Sequence, residues 1–516
     1  MEAMSSQGRP TPGEVETFAY APVSRAGFLW GFAFRQLALA AGAAVFTAGA
    51  FVRSPGTAVK VLPLSVVVGV FALGSWRRRT LMSRAEVFGH FLVRRVLGQT
   101  RWMRTTAGGG DGLVEGAIRL PGAMGRRAVA LQLVGIGGGQ CSMIYDAGSG
   151  EATVVLRCRT KDWATADDAI RSDRMGGFVD LCTAISELEG VVRVVFQART
   201  RGGHTARVQE FFEANQPATE AGEATVVLRG DAHQAGADVA DDYRDALADP
   251  LWGRAAAERD VLITLTVARR LVAREMSDAG GGLRGLSWVM GERLAQVSGL
   301  LDRAGVAAAS TTVLTAGALR GELRQAFDPQ AAEWLEAVGQ DLDPGDPLAQ
   351  AIEEDMRYVG TDTSVHQVLW VERWPAVPTP GGFLDGLISV ARCHHTVTII
   401  IEPMDEATSA KRYANRVTAH ASVVNRDARL ERPLDPAHVA EGVELAARQS
   451  ELAQGFGDVR FSGFVVVTGR DTLEVRKGVA EIRRAAAGLR LTPAAGQQWA
   501  SFLVAGLPLG LGVARQ

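Results

Sequence analysis

A phosphate-cradling P-loop ends in Gly-Lys followed by Ser or Thr, because the lysine must reach the outer phosphates and the hydroxyl must hold magnesium. The four lysines of this 516-residue chain, Lys60, Lys161, Lys411 and Lys477, are preceded by Val59, Thr160, Ala410 and Arg476. No lysine follows a glycine, so a Walker nucleotide site is excluded. GIGGGQ, from Gly135 to Gln140, has the glycine content of a dinucleotide loop. It lacks the third correctly spaced glycine that opens a helix, and the CSMIYDAGSG that follows reads as strand and turn.

Cys141, Cys158, Cys182 and Cys393 form no CxxC pair, so neither a zinc ribbon nor a thioredoxin-like centre is expected, and reduced buried thiols are the default. Cys393-His394-His395 has metal-ligand residue types, but neighbours entering a strand point to opposite faces and cannot readily share one ion. It reads as a helix-to-strand corner. No GxSxG, HExxH or kinase-like set is present. Acid pairs such as Asp241-Asp242 and Glu353-Glu354-Asp355 are unpatterned and read as a solvated face. The expectation is therefore no enzyme, with no catalytic residues, no cofactor and no metal.

These negatives leave the elements that organise the chain. Hydrophobic residues are 47% and charged residues 22%, ordinary globular usage that argues against wholesale disorder and against a polytopic transporter. A net charge of −2 hides an asymmetry: Met1 to Arg104 carries thirteen basic and four acidic residues. Phe28 to Val52 is apolar apart from Arg35 and Gln36, long enough for a spanning helix, and Val61 to Trp76 is a second, shorter apolar run. RSPGTAVK between them holds a Pro-Gly turn. The pattern predicts a two-helix membrane hairpin over 28–76, preceded by a cytoplasmic tail over 1–27. A signal peptide fits less well, because the first run is too long and a second follows at once.

The arginines set the orientation. Arg77, Arg78, Arg79, Arg84, Arg94 and Arg95 crowd the exit of the second span, whereas the intervening loop offers Arg53 and Lys60. The positive-inside rule then puts both termini in the cytoplasm. The basic juxtamembrane segment 77–107 is expected to rest on anionic lipid through those six arginines. Its interleaved Leu81, Phe88, Phe91, Leu92, Val96 and Trp102 allow a packed partner helix as the next reading, with nucleic acid a distant third.

After the glycine-rich break at 108–112 the chain predicts alternating strands and helices. Strands are expected at Ala152 to Arg159, Val191 to Ala198 and Asp260 to Ala268, with helices at Met175 to Leu188 and Leu286 to Ala304. GQDLDPGDP, Gly339 to Pro347, is the expected boundary between a first soluble unit, 113–338, and a second, 348–510. The second repeats the alternation: strand Ser364 to Arg373, helix Gly382 to Arg392, strand Thr396 to Glu402, helical tract Asp405 to Arg429 and strand Asp458 to Thr468. It closes with helix Asp471 to Ala487, strand Leu489 to Leu491 and helix Pro493 to Leu503. The fold class expected is α+β/α/β, two ferredoxin-like units behind a membrane hairpin.

The hairpin, the Arg-rich exit ending in Trp102 to Arg104, and this α/β region resemble the actinobacterial SCO-type integral membrane proteins encoded among conjugation-like secretion genes. The features that carry the resemblance are TVTIIIEP (Thr396 to Pro403) leading into KRYANR (Lys411 to Arg416), the strand DVRFSGFVVVT after Gly457, and RLTPAAGQQWASFLVAGLPLG from Arg490. The closing stretch is similar to the end of the N-terminal domain in conjugation ATPases of the TraC/CagE/VirB type, just before their motor. The hairpin is similar to PrgI-like anchors. No motor follows here, so ATP hydrolysis does not carry over.

The resemblance implies a non-catalytic structural or adaptor component of a conjugation-like, type IV secretion apparatus in the inner membrane. Its soluble part would be cytoplasmic, docking a separate P-loop ATPase and other membrane subunits within an oligomeric complex. Two alternatives stand beside it. An EccE-like component of type VII secretion also has two N-terminal spans, but with its soluble domain outside the membrane. A membrane-anchored enzyme with an unrecognised site would show a concave pocket with convergent polar groups.

Overall fold

The computed structural model describes residues 17–18, 34–76, 79–103, 117–121, 128–135, 141–159, 161, 166–201, 258–307, 310–329, 348–375, 379–380, 382–390, 393–404, 406–429, 439, 442, 445–446, 458–486 and 488–513. The expected boundary at 339–347, the expected tail over 1–27 apart from residues 17–18, residues 28–33 at the start of the expected hairpin, and the glycine loop at 136–140 lie outside the described residues.

A two-residue ladder of Thr17–Phe18 on Thr379–Pro380 precedes helices α1 (Phe34–Arg53) and α2 (Pro55–Leu73), which are joined at Ser54. The segment RSPGTAVK, expected as a loop, is mostly helix: Pro55 sits at the first position of α2, where its fixed φ suits the helix and its missing N–H costs nothing. A short ladder of Ser75–Trp76 on Arg79–Thr80 turns the chain into α3 (Leu81–Val96).

The body is a mixed helix and sheet structure built on one large antiparallel sheet of 14 strands. In chain order these are β1 (Arg101–Met103), β2 (Ala117–Pro121), β3 (Ala128–Gly135), β4 (Ser142–Asp146), β5 (Glu151–Cys158), β6 (Val191–Arg201) and β7 (Glu258–Ala268). They continue as β8 (Thr312–Val313), β9 (Ala351–Glu354), β10 (Val359–Thr361), β11 (Val365–Arg373), β12 (His394–Met404), β13 (Asp458–Gly469) and β14 (Arg490–Pro493). The helices between them are α4 (Asp168–Glu187), α5 (Ala273–Asp278), α6 (Gly282–Leu301), α7 (Ala316–Phe327), α8 (Asp385–Ile388), α9 (Glu406–Arg429), α10 (Thr472–Ala485) and α11 (Gln498–Ala505).

Strands β5, β6, β7 and β8 stand in the order β8-β5-β7-β6, and β11, β12, β13 and β14 in the order β14-β11-β13-β12. Numbered within each set, both orders read 4-1-3-2. In both sets the first strand shares its outer edge between the fourth strand and a preceding hairpin: β4 and β8 on β5, β10 and β14 on β11. The second strands meet each other, His395 to Ile401 of β12 running against Thr200 to Val194 of β6, and this pairing makes the sheet continuous.

Strand alternation then divides the core, because successive side chains point to opposite faces. On one face, Val154, Leu156, Val194, Ile263 and Leu265 pack against Leu181 and Ile185 of α4 and Leu286, Val289, Val297 and Leu301 of α6. On the same side of β11 to β13, Leu369, Val397, Val465 and Val467 meet Leu387 of α8 and Val475, Val479 and Ile482 of α10. The opposite face carries one cluster running across both strand sets, from Ile144, Val155 and Val195 to Ile400, Val466 and Val368. It is covered by Leu319, Leu323 and Phe327 of α7, by Trp499, Phe502 and Leu503 of α11, and by Leu507 and Leu509 beyond α11. Each fully buried aliphatic side chain contributes about 1.5–3 kcal/mol.

Besides RSPGTAVK, and α4 starting at Asp168 ahead of the expected Met175, two elements differ from expectation at a glycine. The helix expected over 382–392 is limited to α8, because Gly382 takes φ +81 and α8 starts without a side-chain cap. The helix expected from Pro493 begins at Gln498: Leu491 to Pro493 stay in the ladder with β11, and Gly496 at φ +73 precedes the helix.

Candidate functional site

Of the six arginines expected at a lipid surface, Arg77 and Arg78 lie outside the described residues, and Arg79 is placed by its backbone, opposite Trp76. Arg84 and Arg95 are on the exposed side of α3. Arg94 is not at the surface: it is 8% exposed and turned into the body. At 100° per residue Arg94 falls on the same side of α3 as Val87 and Phe91, which is the side that packs.

The Arg94 guanidinium Nη2 donates to Glu354 Oε2, and Nη1 donates to Gly496 O at 3.2 Å. Glu354 Oε1 accepts from the Trp499 amide at 3.1 Å, at the first turn of α11, and the Glu354 amide donates to Thr100 O at 2.7 Å. Val87 presses on Gly496, where an added Cβ would stand 2.8 Å from Val87 Cγ1. The Glu354 carboxylate thus ties α3 and α11 to β9, and its amide ties in the chain just ahead of β1. Burial pushes the Glu354 carboxyl above its usual range, against the pull of Arg94 and of the Trp499 and Gln498 amides.

Ahead of this junction the two first helices present apolar side chains outward. Val45 is 72% exposed and Val52 87%, with Phe46, Phe51, Val59, Leu64 and Val67 also exposed. Thr47 Oγ1 lies 2.6 Å from Ser65 Oγ and joins α1 to α2 among small residues. Among the described residues, no helix is long and apolar enough to cross a membrane. α2 ends where the Leu81 amide donates to Gly74 O at 3.0 Å, so α3 starts beside the end of α2.

A second polar cluster lies where β6 meets β12. Arg193, Gln197, Arg199 and Arg201 alternate along β6 and share the face under α7 and the C-terminal segment. Glu322 of α7 accepts from Arg199 Nη1 and from Arg157 Nη2, each at 2.5 Å. Gln197 Nε2 donates to Ala505 O at 3.0 Å and Leu507 O at 3.3 Å, Thr398 Oγ1 donates to Ala505 O at 2.6 Å, and Arg193 Nη1 donates to Gly510 O at 2.5 Å. The chain after α11 is therefore strapped across the join by side chains from both strand sets.

Beside the strap is a cavity of about 40 Å³ lined by Arg199, Arg201, Gln325, His395, Thr468 and Phe502. Arg199 Nε and Nη2 and Gln325 Oε1 have no protein partner there, whereas the His395 ring lies on the other face of the sheet, on the Thr200 side. His395 Nδ1 lies 3.1 Å from Cys393 O and donates to it, so Nε2 is an acceptor in the neutral ring, and burial lowers that ring's pKa. Donors and acceptors in so small a space match one or two ordered waters, each occupying roughly 30 Å³. Small-molecule sites run to about 300 Å³ or more.

Cys393 precedes β12, and His394 and His395 enter it on opposite faces, His395 buried and His394 half-buried. This is the corner the sequence suggests. Among the described residues no three His, Cys, Asp or Glu side chains form a metal-holding group. His366 is fully buried in β11, with Nε2 3.1 Å from Phe327 O and Nδ1 2.9 Å from Thr468 Oγ1, its ring 4.5 Å from Phe502. Desolvation lowers its pKa to about 3.

Sequence reading missed the inward turn of Arg94, the Glu322 triad and the strap, and Glu354, expected on a solvated face, is buried because its carboxylate is paired with Arg94 and the Trp499 amide. The alternation of Arg193, Gln197, Arg199 and Arg201 was the available signal, since four polar residues on one face of an apolar strand need partners. No protein-family model and no curated protein sequence matches the chain.

Proposed function

We propose that the chain is a membrane-anchored, non-catalytic scaffold, an adaptor of a conjugation-like, type IV secretion apparatus that docks a separate P-loop ATPase and other membrane subunits. The observation that carries the anchoring is the row of exposed apolar side chains on α1 and α2. Exposed apolar surface of this extent calls for lipid or protein cover. In the sequence the first apolar run starts at Phe28, ahead of α1, and is long enough for a spanning helix.

In this reading α1 and α2 form the hairpin in the inner membrane, and the arginines that follow place the body on the cytoplasmic side. The body is a pair of ferredoxin-like βαββαβ units, since both strand sets have the 4-1-3-2 order of that motif. Arg94 and Glu354 transmit the anchor's position to the sheet instead of gripping lipid.

Crosslinking in native membranes, followed by detergent purification of the tagged full chain and mass spectrometry, tests the reading. Co-purification of a P-loop ATPase with other membrane subunits is the expected result, and the motor's type separates type IV from type VII. A chain recovered alone under both crosslinked and mild-detergent conditions overturns it.

A further inference from the structure

The outward side of α3 is apolar. Helical spacing puts Ala85, Phe88, Leu92 and Val96 on one stripe, opposite the packed side of Val87, Phe91 and Arg94. Phe88 is 56% exposed, Leu92 48% and Val96 78%, and Leu97, just past the helix, is also exposed. Arg84 and Arg95 border it along one edge. The helix is not free to roll this stripe inward, because Arg94 is held by Glu354 and Gly496 on the far side.

We propose that this stripe is a lipid-contact surface, with α3 lying in the headgroup boundary of an anionic leaflet. The proposal rests on the anchoring reading above and names the part of the body that touches the membrane. Two observations select lipid as the occupant. The first is continuity: Leu81 N is hydrogen-bonded to Gly74 O, so the start of α3 is fixed beside the exit of α2 and cannot leave the plane where α2 emerges. The second is charge: the sequence that follows that exit carries Arg77, Arg78, Arg79, Arg84 and Arg95, with Glu86 the one acid from 77 to 104. An apolar stripe edged by arginines is the pattern of a helix lying in an interface. Arg94 takes no part in lipid contact.

The test uses the full chain carrying Cys141→Ser and Cys182→Ser, reconstituted in phosphatidylcholine vesicles with and without phosphatidylglycerol. Single nitroxide labels are placed through Leu92→Cys or Val96→Cys on the stripe, Val66→Cys on α2, and Arg470→Cys ahead of α10. Collision with oxygen reports lipid, and collision with a water-soluble nickel chelate reports solvent. The Val66 label is expected to be oxygen-accessible in both lipids and the Arg470 label nickel-accessible in both. The Leu92 and Val96 labels are expected to gain oxygen and lose nickel accessibility by several-fold when phosphatidylglycerol is present. Arg84→Glu with Arg95→Glu is expected to reverse that gain.

A Val66 label in lipid with stripe labels that stay nickel-accessible overturns the lipid contact and leaves the anchor standing. Stripe labels closed to both reagents and broadened by spin–spin coupling identify a second copy as the cover and also overturn it. A nickel-accessible Val66 label overturns the anchoring reading itself.

Discussion

Arg94 and Glu354 are separated by 260 residues and form a buried ion pair, 10% and 2% exposed at the side chain, between the helix that follows the apolar hairpin and the edge of the main sheet. Glu354 spends its other oxygen on the Trp499 amide and its own amide on Thr100. The pair therefore fixes three distant parts of the chain in one register, and its value is positional as much as energetic, because desolvating both charges offsets much of their attraction.

Removing one partner strands the other. Glu354→Gln is expected to cost about 3–5 kcal/mol, whereas Arg94→Met with Glu354→Leu restores most of that loss because neither charge remains buried. Urea unfolding of the full chain in detergent measures both. Equal stability of the single variant and the parent would contradict the pair's role.

His366 makes stability depend on pH. Its pKa is near 6.5 when unfolded and about 3 in the fold, so the unfolded chain binds the extra proton between those values. Stability is therefore full above pH 6.5 and is lost as pH falls toward 3, by about 2 kcal/mol at pH 5. The raised Glu354 works with the opposite sign, so the difference between the parent and His366→Gln isolates the histidine. The variant is expected to be less stable at pH 7 and to have the shallower slope from pH 7 to 5. Parallel slopes would show that His366 does not stay neutral in the fold.

Gly510 is held at φ +63, where an added Cβ would meet Thr153 Cγ2 at 2.5 Å and Thr266 Oγ1 at 2.6 Å. Gly510→Val is expected to lift the strap from the sheet and cost about 2–4 kcal/mol, combining left-handed strain with overpacking. Hydrogen exchange checks it: amides of 506–513 should lose protection while those of β13 keep theirs. Unchanged protection in 506–513 would refute the seat described for Gly510.

Burial raises the Cys158 thiol to about 11 and the Cys393 thiol to about 12. At pH 8 roughly one in a thousand or fewer would be thiolate. Mass-mapped alkylation should modify both in denaturant and neither in the native chain over the same time. Native labelling of Cys393 at the denatured rate would show that the corner before β12 opens.

Much of this fold is legible as apolar runs. The middles of β5, β7 and β12 are strings of Val, Ile, Leu and Thr, and β6 and β13 carry Val-Val and Val-Val-Val runs beside Phe, so their composition marks them as strands. α7 is less legible: AGALRGELRQAF has two glycines and few large apolar residues, and its start is set by the Thr315 side chain accepting from Ala318 N. The meeting of β6 with β12 cannot be read from either strand, because an unpaired edge offers the same backbone groups to any partner. Arg94 sits one residue from exposed Arg95 in a basic cluster, and only the fold shows that one of them faces inward.

The proposal that the sheet body is cytoplasmic is tested most directly by labelling Ser149→Cys, at the exposed turn between β4 and β5, with a membrane-impermeant thiol reagent in intact cells. The protein should sediment with membranes and remain unlabelled until the cells are permeabilised, then label fully. Labelling in intact cells at the permeabilised level would put the body outside the membrane, contradicting the adaptor reading and favouring an EccE-like arrangement.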